Sequence, residues 1–337
     1  MTSDGTVQQG IRRWWEGGGK GTGSALRTLA WPLEWAYGRA VARRNRDFNR
    51  TGGERITGLA VVSVGNLVVG GTGKTPLAAW TARLLAASGA RVALLTGGYS
   101  RDEILLHQRW NPRVPVVSER SRVDGARLAR ERGADVAVLD DGFQHRALAR
   151  DLDLVLLAAE DRFPGHLLPR GPYREPIGSL ARAHAVVVTR RTASADQAAD
   201  LEAEVARRFP LVALGRVAFV TGGWQDLSGR AAPPPEGPVL AATAVARPEC
   251  FAVQAASEAG GGVELMAFPD HHEFDARDAG VMRSRAGERT VVVTEKDAVK
   301  LQPFESILEP VRVLAQTLRW EAGESAVANL ITAGRAA

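Results

Sequence analysis

Cysteine is almost absent from this chain: Cys250 is the only one in 337 residues. A single thiol excludes an internal disulfide framework, so we expect a reducing compartment. Long hydrophobic runs are also missing, since no apolar stretch reaches the roughly 18–20 residues that a membrane-spanning helix needs. The first residues lack the basic and then apolar order of a signal peptide, and we therefore expect the main body of the protein to stay in the cytoplasm.

Lysine is scarce as well. The chain has 43 basic side chains, but only four are lysines: Lys20, Lys74, Lys296 and Lys300. Where a chain nearly always uses arginine, a retained lysine indicates a position that needs a compact point charge. Two of the four lie in V-V-V-T-E-K-D-A-V-K, at 291–300, whose register differs by one residue from the guanine-reading loop of GTPases. We therefore assign no guanine site.

The turn around Lys74 has the order of a phosphate-binding loop. Residues 63–76 read S-V-G-N-L-V-V-G-G-T-G-K-T-P, between a predicted buried strand at 56–64 and a predicted helix at 77–85. Val68 stands where the strict pattern has its first glycine. Backbone N–H groups of such a turn wrap a phosphate, the lysine reaches the β- and γ-phosphates, and the threonine hydroxyl binds Mg²⁺. The alternative is an ordinary glycine-rich turn. The predicted nucleotide-binding residues here are Val68, Val69, Gly70, Gly71, Thr72, Gly73, Lys74 and Thr75.

Apolar strands alternate with helical patterns along the rest of the chain. Strands are predicted at 90–96, 114–118, 135–139, 152–158 and 185–189, and helices at 124–132 and 190–208. This alternation predicts an α/β fold with a P-loop doubly wound, mostly parallel sheet. A second, smaller α/β domain is indicated by strands at 239–243, 263–268 and 290–294.

Composition divides the chain into three parts. We predict a basic amphipathic helical segment at 1–58, a P-loop nucleotide-binding domain at 59–192 and a second α/β domain at 193–337. The position of the last border is left open, as is a return of the C-terminal part to the first domain.

The N-terminal segment differs from the rest in charge. Residues 1–58 carry ten basic and five acidic side chains, whereas the remaining 279 residues carry 33 of each. Four of the eight tryptophans also lie here: Trp14, Trp15, Trp31 and Trp35. This mixture favours a helix at an anionic membrane surface. Two alternatives stay open, a helix docked on the protein's own body and a nucleic-acid arm, although the chain offers no further basic stripe for a nucleic acid.

Two carboxylates follow a predicted buried strand in V-A-V-L-D-D-G-F-Q-H, at 136–145. Asp140 and Asp141 take the place of the second acidic element of P-loop enzymes, where an aspartate holds Mg²⁺ directly or through water. The alternative is an Asp-Gly turn that closes a strand.

A proline-rich loop offers further charged groups. It reads L-P-R-G-P-Y-R-E-P, at 168–176. Arg170 and Arg174 are candidates to clamp phosphate oxygens, and Glu175 is a candidate metal ligand. Equally, the loop could simply carry exposed charges.

Asp102 follows the Gly-Gly-Tyr-Ser turn at 97–100 and is a candidate general base for an attacking hydroxyl. The alternative is an acidic first turn of a helix. In F-P-D-H-H-E-F, at 268–274, His271 and His272 are neighbours that point apart in regular structure. No suitable partners accompany them, so we expect no zinc site and favour a histidine tuned by a nearby carboxylate.

Together these motifs resemble those of the tetraacyldisaccharide 4′-kinases of lipid A synthesis. The matching stretches run in the family's order from about residue 60 to 301, and this family also lacks the first glycine of the loop. They read V-G-N-L-V-V-G-G-T-G-K-T-P, G-G-Y-S-R, D-V-A-V-L-D-D-G-F-Q-H-R, L-P-R-G-P-Y-R-E-P, F-P-D-H-H-E-F and V-V-T-E-K-D-A-V-K-L. The Asp-Asp-Gly-Phe-Gln-His run is the most specific of them.

The resemblance implies an ATP- and Mg²⁺-dependent kinase that phosphorylates the 4′-hydroxyl of an acylated glucosamine disaccharide 1-phosphate. It implies peripheral binding at the cytoplasmic face of the inner membrane; no obligate protein partner is evident, and no nucleic-acid partner is expected. The implied catalytic pair is Asp102 and His271. Because the segment before Asp102 is shortened, Glu103 stays open as the base. The implied nucleotide and metal residues beyond the loop are Asp140, Asp141, Gln144, Arg174 and Glu175.

Two other classes of protein stay open. One is a P-loop GTPase or metal-insertion chaperone that acts as a switch. The other is a non-catalytic P-loop protein that binds membranes. Nucleotide choice, and whether a lipid disaccharide is needed for γ-phosphate turnover, distinguish them from a kinase.

Overall fold

The computed structural model describes residues 29–98 and 101–334, together with Trp15. These residues form two compact units. The larger unit comprises residues 29–98, 107–218 and 320–334, and the smaller unit comprises residues 101–106 and 219–319. In this division, residues 193–218 belong to the larger unit.

A parallel sheet covered by helices forms the larger unit. Its elements are α1 (Trp31–Thr51), β1 (Ala60–Asn66), α2 (Lys74–Ala87), β2 (Val92–Thr96), α3 (Arg101–Trp110), β3 (Val116–Ser118), α4 (Arg122–Glu131), β4 (Val136–Asp140), β5 (Leu152–Ala158), a 3₁₀ turn (Ile177–Arg182), β6 (Ala185–Arg190), α5 (Ala195–Arg208) and β7 (Ala213–Gln225). Helix α3 begins in the smaller unit, and β7 ends there.

The strand order in the larger unit is β3-β2-β4-β1-β5-β6-β7, and these neighbours run parallel. Strand β1 is central, with Val62 opposite both Val138 and Leu152. Strands β1, β4 and β5 are almost continuously apolar because helices cover both faces of such a sheet. Parallel strands end at one edge, so Asn66, the last residue of β1, and Asp140, the last of β4, lie at that edge.

The smaller unit repeats this β/α pattern. Its elements are β8 (Val239–Thr243), α6 (Pro248–Ala259), β9 (Val263–Ala267), α7 (Ala276–Ala286), β10 (Thr290–Thr294), α8 (Glu295–Leu301), a 3₁₀ turn (Gln302–Phe304), α9 (Glu305–Leu308) and β11 (Val311–Ala322). The order is β11-β10-β8-β9, again with parallel neighbours. Strand β11 continues into the larger unit, where α10 (Glu324–Ala333) packs on α2.

The predicted α/β fold with a mostly parallel sheet is confirmed, and every predicted strand is present within a few residues. The helix predicted from residue 190 begins at Ala195, because Ser194 caps it in a reciprocal pair with Gln197. Strands β7 and β11 were not predicted. Both lie partly exposed and mix apolar with polar residues, so their sequences lack the apolar run that marks a buried strand.

Helix α1 forms the described part of the predicted N-terminal segment. Residues 1–14 and 16–28 of that segment lie outside the described residues. No helix in the described part of the chain combines the length and the hydropathy required to cross a bilayer.

Candidate active site

The glycine-rich turn leads from β1 directly into α2, which begins at Lys74. Gly70 and Gly73 have φ angles of 120° and 94°, in the region that favours glycine. The Asn66 side chain donates to the Thr72 hydroxyl at 2.8 Å and so connects the end of β1 to the turn. The result is a loop whose main chain meets a helix N-terminus, which is a ready anion site.

Asp141 lies between two cations beside this loop. Arg174 donates to both carboxylate oxygens at 3.0 and 2.8 Å, and the Lys74 Nζ lies 3.8 Å from Oδ1. Burial raises the pKa of Asp141, but Lys74 and Arg174 outweigh burial and hold that pKa well below its ordinary value. The carboxylate is therefore ionised, and the two cations converge where a phosphate group needs charge.

Asn66 is a site residue that the sequence analysis missed. Its side-chain oxygen accepts a hydrogen bond from Arg174, and its main-chain oxygen accepts from the Gln144 amide at 2.9 Å. The available signal was a polar residue at the end of a buried strand, where ligands of parallel sheets bind. Asn66 thus joins Gln144 and Arg174, both predicted nucleotide residues, to the base of the loop.

Asp140 contacts a buried histidine. The Nε2 atom of His107 lies 3.0 Å from Oδ2 of Asp140. The two adjacent aspartates therefore have different partners, one a histidine ring and the other a pair of cations. His107 was not predicted as a site residue.

The Glu175 carboxylate is surrounded by donors. Asn45, Ser179 and Arg182 donate to it at 2.8, 2.9 and 2.9 Å. Burial raises the pKa of Glu175, but Arg182 and these hydrogen bonds outweigh burial and keep it below its ordinary value. Both oxygens are engaged, so these contacts lend no support to metal binding by Glu175, which stays a prediction. Arg170 pairs with Glu34 of α1 at 3.2 Å.

In the smaller unit, Asp102 faces His271. Asp102 is 1 % exposed, and its Oδ1 lies 3.3 Å from Nδ1 of His271. The same oxygen accepts from the main-chain N–H of Glu103 at 2.8 Å. His272 turns the other way and lies 2.8 Å from Asp278. Of the two candidate bases, Asp102 is the one whose carboxylate contacts the histidine.

Two lysines complete the surroundings of Asp102. The Nζ atoms of Lys300 and Lys296 lie 3.4 and 3.6 Å from its Oδ2. Lys300 is buried and also donates to the main-chain oxygen of His272 at 2.7 Å. The sequence analysis gave neither lysine a role, although the scarcity of lysine that identified Lys74 applies equally to them.

His271 is held in an unusual state. Its φ angle is 60°, in the left-handed region that is uncommon for residues other than glycine. The hydrogen bond with Asp102 raises the pKa of His271 above its ordinary value, while burial and Lys296 act in the opposite direction. The ring therefore holds a proton more readily than a histidine in water does.

The oxygen donors near the loop suit Mg²⁺. Within residues 29–98 and 101–334, no three His, Cys, Asp or Glu side chains form a metal cage. Mg²⁺ rarely uses one, because it is usually held by one or two carboxylates together with the substrate phosphates. Thr75, Asp140 and Asp141 provide hard oxygen atoms of this kind beside the phosphate loop.

The chain is similar to a known protein family along most of its length. The family model described as tetraacyldisaccharide-1-P 4′-kinase matches residues 26–104 and 100–334. The chain belongs to this family of tetraacyldisaccharide 4′-kinases. The 4′-kinase of Anaeromyxobacter sp. strain Fw109-5 is 40% identical over 302 residues, which are 78% of this chain and 80% of the relative. That of Paramagnetospirillum magneticum is 36% identical over 325 residues, 89% of this chain and 92% of the relative.

A solved 4′-kinase has a similar fold. The crystal structure of LpxK from Aquifex aeolicus in complex with ATP superimposes on this chain with a TM-score of 0.70 and 26% sequence identity. The superposition covers 92% of this chain and 99% of the Aquifex chain. Since the matched 4′-kinase family consists of phosphotransferases, a switch protein of the GTPase or metal-insertion type is not favoured.

The stability contributed by His271 should depend on pH. Its pKa is raised on folding, so the contribution is complete below the ordinary value of 6.5 and is lost as pH rises through the higher folded value. Asparagine tolerates positive φ, so His271→Asn keeps the backbone conformation. We expect this substitution to reduce the free energy of unfolding more at about pH 6 than at about pH 9. Urea unfolding at both pH values measures this difference.

The matched control is the same substitution in an Asp102→Asn background. In that background the hydrogen bond that raises the pKa of His271 is weakened. The loss of unfolding free energy caused by His271→Asn should then be similar at about pH 6 and about pH 9. An equal cost at both pH values in the wild-type background would contradict the assigned ion pair.

Proposed function

We propose that this protein is an ATP-dependent kinase that phosphorylates the 4′-hydroxyl of an acylated glucosamine disaccharide 1-phosphate in lipid A synthesis. The observation that carries the proposal is Asp102, a buried carboxylate held by His271 in a chain that also has a phosphate loop. A nucleotide switch needs the loop, but it does not need a positioned base. The 4′-kinase names of the relatives supply the acceptor.

The larger unit supplies the nucleotide site in this proposal. Main-chain N–H groups of residues 70–73 surround the phosphates, whereas the N–H of Val69 donates to the main-chain oxygen of Pro172 at 2.8 Å. Lys74 and Arg174 bind the γ-phosphoryl oxygens. Gln144 keeps the base of the loop in place through Asn66. Mg²⁺, when bound, neutralises charge on the β- and γ-phosphate oxygens, and Thr75, Asp140 and Asp141 are the residues proposed to hold it.

The smaller unit supplies the group that activates the acceptor. Asp102 takes the proton of the 4′-hydroxyl while that oxygen forms a bond to the γ-phosphorus. The bond between the γ-phosphorus and the bridging oxygen breaks, and ADP leaves with its electron pair. His271 orients Asp102 through the 3.3 Å contact, and the Nζ atoms of Lys296 and Lys300 lie beside its other carboxylate oxygen.

The direct test incubates the full chain with γ-labelled ATP and an acylated disaccharide 1-phosphate. We expect labelled lipid with wild-type protein, and a loss of about 10²–10³-fold in kcat for Lys74→Ala, because one preorganised charge on the transferred group is removed. Arg91→Ala is the matched control, since Arg91 forms only an exposed pair with Asp135. A folded Lys74→Ala variant with near-normal turnover would refute the phosphate-loop assignment.

Asp102 and His271 should act as one unit. Asp102→Asn and His271→Asn should each lower kcat, by up to about 10²–10⁴-fold for a positioned base. The double variant should lose little more than the worse single variant, because each change removes the same function. ATP affinity should change little.

Glu103→Gln is the necessary control for this pair. It should be much less damaging, since Glu103 donates its main-chain N–H to Asp102, and the substitution keeps that N–H. Additive losses for Asp102 and His271, or a larger loss at Glu103 than at Asp102, would show that the pair is wrongly assigned.

We also infer that the protein works peripherally at the cytoplasmic face of the inner membrane, through α1. Four large apolar side chains at its start are exposed: Leu29, Trp31, Leu33 and Trp35. The other face of α1 is attached to the larger unit, with the Tyr37 hydroxyl donating to the main-chain oxygen of Arg174 at 2.9 Å. One helix can thus satisfy both alternatives left open by the sequence, an inner face docked on the body and an outer face for lipid.

Binding to anionic vesicles tests this inference. We expect Trp31→Ser together with Trp35→Ser to weaken binding to phosphatidylglycerol vesicles about tenfold or more, because two large side chains no longer enter the interface. ATP affinity should be unchanged. Leu211→Ser is the matched control, since Leu211 is almost fully exposed elsewhere on the larger unit. Equal binding by both variants would contradict the assigned surface.

A further inference from the structure

A buried histidine lies behind the acidic end of β4. His107, near the end of α3, is 0% exposed, and Asp140 is 3% exposed. Their side chains meet at 3.0 Å through Nε2 and Oδ2. The other ring nitrogen, Nδ1, is buried and has no hydrogen-bond partner in the described part of the chain. Asp140 is therefore the hydrogen-bond partner of this ring among the described residues.

We propose that His107 is a positioning residue that fixes the Asp140 carboxylate for Mg²⁺ at the phosphate loop. The inference rests on the nucleotide site of the proposed function and is independent of the lipid acceptor. It assigns a role to a histidine that none of the sequence motifs identified.

The hydrogen bond joins one ring atom to one carboxylate oxygen. Carboxylate oxygens accept hydrogen bonds, so Nε2 of His107 donates to Oδ2 of Asp140. His107 is thus a donor directed at one carboxylate oxygen.

This donor leaves Asp140 with one defined orientation. Oδ2 is occupied by His107, and the main-chain oxygen of Asp140 accepts from Arg122 at 3.3 Å. The strand position is set as well, because Asp140 pairs with Val64 of the central strand. Oδ1 is the oxygen that remains for a ligand. Mg²⁺ demands near-octahedral geometry, and a partner that orients a ligating group is typically worth about 10–100-fold in metal affinity.

The simpler explanation is that His107 only fills the core of the larger unit. Two substitutions of His107, by glutamine and by asparagine, distinguish a role in filling space from a role as hydrogen-bond donor. The amide nitrogen of glutamine reaches about as far as Nε2 of histidine, whereas that of asparagine is one carbon shorter. Both are polar and smaller than the ring, so they differ mainly in whether a donor reaches Asp140.

The experiment uses the full chain, ATP and Mn²⁺ as a paramagnetic substitute for Mg²⁺, without lipid. Free Mn²⁺ is followed by electron paramagnetic resonance, and melting temperatures are measured in parallel. We expect His107→Asn to weaken Mn²⁺ binding in the presence of ATP about tenfold or more, and His107→Gln to restore most of that loss. Asn111→Leu is the control. It removes a buried hydrogen bond to Ala79 of 3.1 Å, and it should lower the melting temperature without changing Mn²⁺ affinity.

Two results would overturn the proposal. One is wild-type Mn²⁺ affinity in His107→Asn with only a lower melting temperature, which would make the role one of packing. The other is an equal loss in the glutamine and asparagine variants. If His107→Asn does not fold, His107→Leu replaces it, because leucine fills the core but donates no hydrogen bond. We expect the same weakening of Mn²⁺ binding for that variant. Because the experiment contains no lipid, its result can be interpreted even if the 4′-kinase proposal fails.

Discussion

Carboxylates in a protein interior must be paired with fixed donors, and both units are organised around this requirement. An unpaired buried charge costs several kcal/mol, roughly, even after relaxation. The buried carboxylates Asp140 and Asp102 are held by His107 and His271. The partly exposed carboxylate of Asp141 is held by Lys74 and Arg174. Each carboxylate therefore has its orientation before any ligand arrives. Such preorganisation is what phosphoryl transfer asks of a protein, since its catalysis consists mostly of positioning and charge neutralisation.

Backbone strain is concentrated in the same places. Among the described residues, Asp141 and His271 are the two that have positive φ without being glycine, at 57° and 60°. Such a conformation costs about 1–3 kcal/mol and persists only where the surroundings over-determine it. The hydrogen bonds from Arg174 to Asp141, and from His271 to Asp102, are the surroundings that do so here. One strained residue lies in each unit, and both carry proposed roles.

The loop at 166–175 connects two proposed functions within the larger unit. Arg174 contacts Asp141 through its side chain and Tyr37 of α1 through its main chain. Glu175, next to it, accepts from Asn45 of the same helix. The helix proposed to meet the membrane and the arginine proposed to meet the γ-phosphate are thus held by adjacent residues. Ion pairs and hydrogen bonds therefore hold this charged, proline-rich loop, which is partly exposed.

The sequence by itself determined the features that depend on neighbours along the chain. Apolar runs set the buried strands, and the glycines at 70 and 73 set a turn that leads into α2. The carboxylates at 140 and 141 follow from the end of β4, so the parallel sheet and the phosphate loop could be predicted. Strands β7 and β11 could not, because their exposed halves depend on what packs beside them.

Only the tertiary structure decided the partners. His107 meets Asp140 across 33 positions of sequence, and His271 meets Asp102 across 169. It also decided that Asp102, and not Glu103, faces the histidine, and that two of the four lysines surround it. Such contacts cannot be predicted from a periodic pattern in the sequence. A hydrogen bond between distant segments constrains the two residues that form it, but it does not constrain the residues between them.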